Sequence, residues 1–297
     1  MDHYRTQPGS GDSLGFMQKY PLRARCVVLF FLALALGMCL PRTRAQQLTG
    51  TRSEDNASST SVASKPTAVS NNDDLEVTWK TVPIKFLRDE KDMWLFPEQL
   101  AKGHHWLPTA FVVGGTAIFI KQDPPLERKV RQTDLFQEYN KVLKSSISGG
   151  LIAVVPVGFY AASLIRKDSY GQSTGLLAGE AVANDTVLMI GMKAIARRAR
   201  PSEFPPNGNY NDTFFTHKSF LGKGSSFPSG HAMMAFSVAT VFDRRYKKHK
   251  WVPYVAYTLA TAISFSRVTT GAHFPSDVFI GAATGFAIAR FDVLRKH

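Results

Sequence analysis

Long, continuous apolar runs constrain this chain more than any other feature of its sequence. Runs of more than ten residues that are rich in Ala, Gly and Leu favour helices over strands. No strand alternation or hairpin signal of any strength separates them. The sequence therefore predicts an all-α fold, a helical bundle without internal repeats. The runs cover residues 107–120, 147–165, 174–192, 232–242, 252–265 and 278–291.

The lengths of these runs leave two environments open. A helix needs about 20 apolar residues to span a bilayer, and only the runs at 147–165 and 174–192 come close. A basic segment at 244–250, however, separates two apolar helices in the way that a cytoplasmic loop does. We favour a membrane-embedded bundle over a soluble periplasmic domain, on the condition that the short run at 107–120 does not cross.

Residues 1–45 have the pattern of an export signal. Arg23 and Arg25 precede an apolar stretch at 27–40, and Ala45 follows at a position that suits cleavage. The stretch before the apolar segment is long for a signal peptide. The pattern therefore predicts either a cleaved signal peptide or an uncleaved membrane anchor.

The next segment, residues 46–76, is rich in Ser, Thr, Asn and Asp and has few large apolar groups. Such a composition cannot bury enough surface to order itself, so it predicts a disordered linker. The helical domain then spans residues 77–297. Because Cys26 and Cys39 both precede it, this domain has no disulfide, thiolate metal site or cysteine nucleophile.

The chain is basic, with a formal net charge of +13. Such a charge suits nucleic acid, an anionic membrane surface or an anionic substrate. Zinc-finger spacing is absent from the sequence, and so is a basic stripe with interleaved aromatic residues, which argues against nucleic acid. We therefore expect a membrane and a phosphorylated substrate as partners, and the sequence leaves the oligomeric state open.

Lys193 and Arg200 form the first of three motifs that carry chemistry. Their spacing is close to two helical turns, which predicts that both lie on one face of a helix with Arg197 between them. Pro201 would end this helix and leave Arg200 at its C-terminal end. Such a stripe of cations suits an anion, although alone it is more typical of a solvated basic helix end.

The second motif is Phe227-Pro228-Ser229-Gly230-His231, directly before an apolar run. Ser229 suits the N-cap of a helix, and Gly230 would let the backbone approach a ligand closely. The free N–H groups of a helix N-terminus bind anions. The motif therefore predicts an anion site with His231 in the first turn beside it.

The third motif contains Arg267, His273 and Asp277. Gly271 would interrupt the chain, and Pro275 suits the first turn of the next helix. This places His273 just before a helix and Asp277 within its first turn. From there, the carboxylate can hold one imidazole nitrogen and raise the basicity of the other.

The three motifs together supply what phosphate chemistry needs. Cations and N–H groups bind phosphate oxygens and stabilise the charge of the transition state. One histidine can attack phosphorus while the other protonates the leaving oxygen. The residues alone do not assign these two roles firmly, although the spacing to Asp277 favours His273 as the nucleophile. Neither a metal ion nor another cofactor is suggested by any motif.

These motifs resemble the signature of the type 2 phosphatidic acid phosphatase superfamily, which includes bacterial acid phosphatases and vanadium-dependent haloperoxidases. The resemblance extends over roughly residues 100–292. The residues that match it are Lys193, Arg200, Pro201, Pro228, Ser229, Gly230, His231, Ser266, Arg267, His273 and Asp277.

The resemblance implies a role for each of these residues. His273 is the nucleophile, Asp277 is its orienting partner, and His231 is the general acid. The residues implied to hold the phosphate are Lys193, Arg200, Ser229, Gly230 and Arg267.

The expected function is a metal-independent phosphatase that cleaves phosphate monoesters through a phosphohistidine. Its expected substrates are lipid phosphates, such as phosphatidate or polyprenyl phosphates. A vanadate-dependent haloperoxidase and a non-catalytic anion-binding membrane protein are the alternatives. The expected location is the cell envelope, either in the inner membrane with the active site facing the periplasm, or as a soluble periplasmic protein.

Overall fold

The computed structural model describes residues 77–103, 105–217 and 224–294. The regular secondary structure in these ranges is α-helical, 3-10 or π-helical, and the ranges contain no strand. This confirms the all-α prediction. The predicted signal or anchor at 1–45, with both cysteines, and the predicted linker at 46–76 lie outside the described residues.

The helices follow one another with short connections, apart from the long segment between α6 and α7. Each predicted apolar run lies within one helix, except that the last run continues from α9 into a π-helical segment, Ile288–Val293. The apolar runs do not predict the first two helices or α4. In chain order the helices are α1 (Val82–Trp94), α2 (Phe96–Ala101), α3 (Trp106–Arg131), α4 (Gln137–Val142), α5 (Ser145–Ile165), α6 (Ser169–Ala196), α7 (Gly230–Arg245), α8 (Trp251–Thr269) and α9 (Pro275–Ala287).

Helix α3 is longer than its apolar run indicates. It has 26 residues and continues through Pro124 and Pro125 to Arg131, which corresponds to about 39 Å of helix. The helix is longer than its apolar run, but the run itself is as short as predicted, and that it does not cross a membrane stays a prediction. The apolar pattern ends near residue 120 because the last turns of α3 bury polar side chains, Asp123 and Glu127, against the bundle.

Helix α7 lies at the centre of the bundle and packs against α6, α8 and α9. Met233 on one of its faces belongs to a buried cluster with Leu177 of α6. Small residues allow α9 to cross α7 closely, because a Cβ on Gly285 would lie only 2.0 Å from the carbonyl oxygen of Met233. The same crossing brings the first turns of α7 and α9 together, where Ser229 N–H donates to the Asp277 carbonyl at 2.9 Å.

The long helices alternate in direction, so their termini gather at two ends of the bundle. The C-termini of α3, α6 and α8 meet the N-termini of α5, α7 and α9 at one end, which contains all three motifs. At the opposite end, the start of α6 meets the end of α7, where Tyr170 donates a hydrogen bond to the Arg245 carbonyl. The basic segment at 244–250 lies at this opposite end.

Among the described residues, α5 is the helix whose length and apolar composition suit a membrane span. Most of its surface is not covered by the rest of the bundle, and Val154, Val157 and Ile165 are exposed. Exposed apolar side chains also occur on α8, at Val255 and Leu259. The outer surface of the bundle is therefore apolar along at least two helices.

Candidate active site

The structure brings the charged and histidine residues of the three motifs together at one end of the bundle. The charges of Lys193 and Arg200 act on both imidazole rings, those of His231 and His273. The charge of Arg267 acts on His231 as well. The predicted convergence of the motifs on one site is therefore present in the fold.

His273 lies between α8 and α9, as the sequence predicts. Gly271 reverses the chain after α8 with a φ of 65°, in the left-handed region that favours glycine. The ring is buried, and its Nδ1 lies 2.6 Å from the carbonyl oxygen of Ser226. Because a carbonyl oxygen can only accept, Nδ1 carries the hydrogen and Nε2 carries the free lone pair.

The surroundings of His273 keep its ring neutral near pH 7. Burial lowers its pKa to about 4, and the positive charge of Lys193 acts in the same direction, while Asp277 opposes both. At any pH well above 4, the lone pair on Nε2 of this imidazole is therefore unprotonated.

Asp277 lies in the first turn of α9, as predicted, but its two carboxylate oxygens contact different groups. Its Oδ2 accepts a hydrogen bond from the Phe274 N–H at 2.8 Å and lies 3.7 Å from His273 Nδ1. The second distance exceeds that of a hydrogen bond. The Ser226 carbonyl therefore fixes the tautomer of His273, and Asp277 acts on the ring through its charge.

The other carboxylate oxygen of Asp277 binds a buried arginine that the sequence analysis does not single out. Arg198 Nη1 donates to Asp277 Oδ1 at 2.6 Å, and its Nη2 donates to Asp123 Oδ2 at 2.7 Å. The guanidinium carbon lies 4.4 Å and 4.0 Å from the ring centroids of Phe214 and Phe274. Arg198 thus joins the third motif to helix α3.

The first motif departs from its predicted geometry after Lys193. Helix α6 ends at Ala196, and Arg197 adopts a left-handed conformation with a φ of 43°. The prediction that Arg197 and Arg200 share a helical face with Lys193 was therefore wrong. The chain leaves the helix because the next residues bond to loop segments instead: Ala199 N–H donates to the Thr213 carbonyl.

Three consecutive backbone carbonyls, those of residues 224–226, link the motifs. Arg200 Nε donates to the Gly224 carbonyl at 3.4 Å, and Lys193 Nζ donates to the Ser225 carbonyl. The Ser226 carbonyl is the acceptor for His273. This short segment, which leads directly into the second motif, therefore binds two cations of the first motif and the histidine ring of the third.

Ser229 occupies the N-cap position of α7, as predicted, and His231 lies in the first turn. The Ser229 hydroxyl is buried and has no hydrogen-bond partner in the described part of the chain. A Cβ on Gly230 would lie 2.2 Å from Met189 Sδ. A side chain at this position would therefore require Met189 to move, and the approach of the Gly230 backbone to a ligand stays a prediction.

Arg267 and His231 both contact the start of α5. Arg267 Nη1 donates to the Ser145 hydroxyl, and its Nη2 donates to the Leu143 carbonyl. His231 Nε2 lies 3.3 Å from the Ser145 carbonyl oxygen. Ser145 belongs to none of the three motifs, although a serine directly before an apolar run is a typical helix-start signal.

A groove of about 1020 Å³ begins beside Arg267 and runs between α4, α5, α7 and α8. At its near end it is lined by Leu143, whose carbonyl binds Arg267. Its walls are largely apolar and include Val155, Phe159 and Val255, and Arg166 lies at its far end. The groove therefore joins the cationic end of the bundle to its opposite end.

The family model of the PAP2 superfamily matches residues 174–294. This range contains all three motifs. It begins after α3 and α5, so it does not include Asp123 or Ser145, and it is shorter than the extent of resemblance expected from the sequence.

Two curated relatives match parts of the chain. A lipid A 1-phosphatase of Porphyromonas gingivalis is 38% identical over 65 residues, which are 22% of this chain and 15% of the relative. A lipid A 1-phosphatase of Rhizobium etli is 35% identical over 95 residues, 32% of this chain and 38% of the relative. The chain thus matches well under half the length of either protein.

A solved structure also matches, the crystal structure of a transmembrane PAP2 type phosphatidylglycerolphosphate phosphatase from Bacillus subtilis. It is 25% identical and covers 68% of this chain and 92% of its own. The TM-score is 0.36, a value at which the two folds do not superimpose closely.

Proposed function

The chain belongs to the PAP2 superfamily, and from this premise we propose that it is a metal-independent phosphatase that hydrolyses lipid phosphate monoesters through His273. The observation that carries the proposal is the environment of His273. Its Nδ1 is engaged by the Ser226 carbonyl at 2.6 Å, and burial keeps the ring neutral. A neutral imidazole with a free Nε2 near Lys193 and Arg200 has the properties of a nucleophile toward phosphate.

In the first step, the substrate phosphate binds among the cations and at the N-terminus of α7. Nε2 of His273 attacks phosphorus, a P–N bond forms, and the bond from phosphorus to the alcohol oxygen breaks. His231 donates a proton to that leaving oxygen. The groups that would hold the phosphate oxygens are Lys193, Arg200, Arg267, Ser229 and the backbone N–H of Gly230.

In the second step, water attacks phosphorus and the P–N bond breaks. His231, neutral after the first step, accepts a proton from this water and so returns to its initial state. Inorganic phosphate leaves and His273 is neutral again. The imidazole ring of His273 carries positive charge while it is phosphorylated, and the negative charge of Asp277 stabilises that state.

The groove supports a lipid as the substrate class. It begins at Leu143, beside Arg267, and continues between apolar walls along three long helices. An acyl or polyprenyl chain could lie there with its phosphate among the cations. The matching lipid A 1-phosphatases also act on a lipid, as their names state.

The proposal includes a place for the protein in the cell envelope. The exposed apolar surfaces of α5 and α8 suit a bilayer, and we place the active site on the periplasmic face. In this proposal, residues 77–297 are the phosphatase domain, 1–45 are a signal peptide or anchor, and 46–76 are a disordered linker.

The test is the variant His273→Ala in the full chain, assayed on phosphatidate in mixed micelles and on p-nitrophenyl phosphate. We expect turnover to fall at least roughly 10³-fold, because the proposed covalent intermediate forms on His273. After a rapid quench, mass spectrometry of the wild type should find a phosphoryl group on His273. The control is His105→Asn, a histidine at the opposite end of the bundle, which should retain full activity.

Retention of wild-type turnover by His273→Ala would refute this mechanism. Bromide oxidation that depends on added vanadate, without phosphatase activity in the wild type, would favour a haloperoxidase instead. Phosphate binding without either activity would favour an anion-binding membrane protein.

A further inference from the structure

Asp123 is a buried carboxylate that belongs to none of the three motifs. It lies near the C-terminal end of α3, outside the range that the family model matches. Its Oδ1 accepts from the Ser276 N–H at 3.0 Å, and its Oδ2 accepts from the Ser276 hydroxyl at 2.5 Å. Arg198 donates to the same Oδ2 at 2.7 Å. All its contacts thus lead to Arg198 or to the residue before Asp277.

Arg198 is the centre of this arrangement. It is 1% exposed, and its two Nη atoms divide between Asp123 and Asp277. A single buried guanidinium therefore neutralises only one of two buried carboxylates. The three side chains, which we term the arginine bridge (Asp123, Arg198 and Asp277), carry one net negative charge when both carboxylates are ionised.

The arginine bridge is linked to His273, the proposed nucleophile, through Asp277. The free side of that carboxylate binds the Phe274 N–H and lies 3.7 Å from His273 Nδ1. If Asp277 were the single partner of Arg198, the positive charge of Arg198 would cancel the negative charge of Asp277. With Asp123 present, a negative charge remains beside the ring that becomes cationic when it is phosphorylated.

We infer that Asp123 is a positioning residue for the phosphatase reaction, which shares Arg198 with Asp277 and so leaves a net negative charge beside His273. This inference rests on the proposed function. Asp123 does not touch the phosphate site, so it acts on the chemical step rather than on substrate binding.

The variant Asp123→Asn removes the charge and keeps the size and an oxygen that can accept from Ser276. Arg198 still has Asp277 as its partner, so no buried charge is left unpaired and the fold should persist. On p-nitrophenyl phosphate we expect kcat to fall roughly 10- to 100-fold and KM to change by less than about twofold. Asp123→Glu, which keeps the charge, should retain more activity than the asparagine variant.

The matched control is Glu127→Gln, one turn later on α3. Glu127 is also buried, but its carboxylate oxygens have no hydrogen-bond partner in the described part of the chain. This variant removes a neighbouring carboxyl group without breaking a contact to Arg198. We expect both kinetic constants to stay within about twofold of the wild type.

A double-mutant cycle of Ser276→Ala with Asp277→Asn separates a positioning role from a merely structural one, because Arg198 keeps Asp123 as its partner in the double variant. If Asp123 acts through Asp277, then Ser276→Ala should lower kcat by less than about twofold in the Asp277→Asn background. Additive losses, or a raised KM with an unchanged kcat, would overturn the inference. So would an Asp123→Asn variant that behaves like Glu127→Gln, whereas an inactive wild type would instead refute the proposed function.

If circular dichroism finds Asp123→Asn unfolded, Ser276→Ala provides the same test. It removes a hydroxyl that contacts Asp123 and Arg198 at 2.5 Å and 2.7 Å and leaves every charge in place. We expect a loss of about threefold in kcat that disappears in the Asp277→Asn background. An unchanged kcat would overturn the inference.

Discussion

His273 Nδ1 and the carbonyl oxygen of Ser226 lie 2.6 Å apart, which joins the third motif to the backbone that leads into the second. The two preceding carbonyls bind Lys193 and Arg200. A backbone segment thus sets the relative positions of the proposed nucleophile and two cations. Because this alignment uses carbonyl groups, it depends on the fold of the segment rather than on its side chains.

The neutral ring of His273 predicts the acidic limb of the pH profile. Since burial lowers the pKa of His273 to about 4, the neutral form predominates above that pH and is lost as the pH falls through it. Burial also raises the pKa of Asp123 to about 6, so the profile is measured in Asp123→Asn, which lacks that group. In this variant we expect kcat/KM on a soluble phosphate ester to fall, on the acidic side, only as the pH approaches about 4. An enzyme limb near the ordinary histidine pKa in this variant would contradict the buried, neutral nucleophile.

A phosphate monoester also titrates in the measured range, near pH 6. The control is therefore a second ester whose phosphate has a different pKa. If the fall in kcat/KM reflects titration of the substrate, its midpoint pH changes with the ester. If it reflects titration of His273, the midpoint pH is the same for both esters.

Much of the third motif could be predicted from the sequence because its signals are local. Gly271 reverses the chain, Pro275 begins the next helix, and the spacing then puts His273 before that helix and Asp277 in its first turn. The helix starts of the second motif follow from equally local residues. Each of these signals acts within a few residues of the structure that it determines.

The arginine bridge could not be predicted because its partners are distant in sequence. Arg198 lies 75 residues from Asp123 and 79 from Asp277. Composition does not distinguish Arg197, at the helix end, from the buried Arg198 beside it. The end of α6 at Ala196 depends in the same way on hydrogen bonds from the loop around Thr213, which no helical periodicity reveals.

The cations of the site predict that activity does not depend on a divalent metal. In the proposed mechanism, Lys193, Arg200 and Arg267 supply the positive charge that a phosphate needs, so EDTA should leave the rate unchanged. Vanadate should inhibit competitively, because its trigonal bipyramidal adduct with His273 would resemble the transition state. Loss of activity with EDTA that Mg²⁺ or Zn²⁺ restores would contradict the metal-independent mechanism.

The groove predicts a variant that separates lipid from soluble substrates. Val155 lines the groove on α5, whereas the neighbouring Val154 is exposed and does not line it. Val155→Trp should raise KM for phosphatidate about tenfold and leave KM for p-nitrophenyl phosphate unchanged, because only the lipid has a chain to place there. Val154→Trp is the control and should change neither. Equal effects of Val155→Trp on both substrates would contradict a chain-binding groove.

The two ends of the bundle predict the orientation of the protein in the membrane. Lys and Arg are retained on the cytoplasmic side of membrane proteins. Arg166, Lys167 and the basic segment at 244–250 lie at the end opposite to the site. The basic tail, Arg295 and Lys296, lies outside the described residues. We therefore expect the active site to face the periplasm.

Cysteine labelling of the full chain tests this orientation. With Cys26 and Cys39 replaced by serine, single cysteines are placed at two exposed positions, by Asn211→Cys in the loop at the site end and by Lys248→Cys at the opposite end. A membrane-impermeant maleimide should label the first variant in intact cells, and the second only after lysis, because the membrane would shield residue 248. The reverse pattern would refute the topology. Labelling of both variants in intact cells would instead favour a soluble periplasmic domain. The exposed apolar surfaces of α5 and α8 would then have to be buried against something other than a membrane.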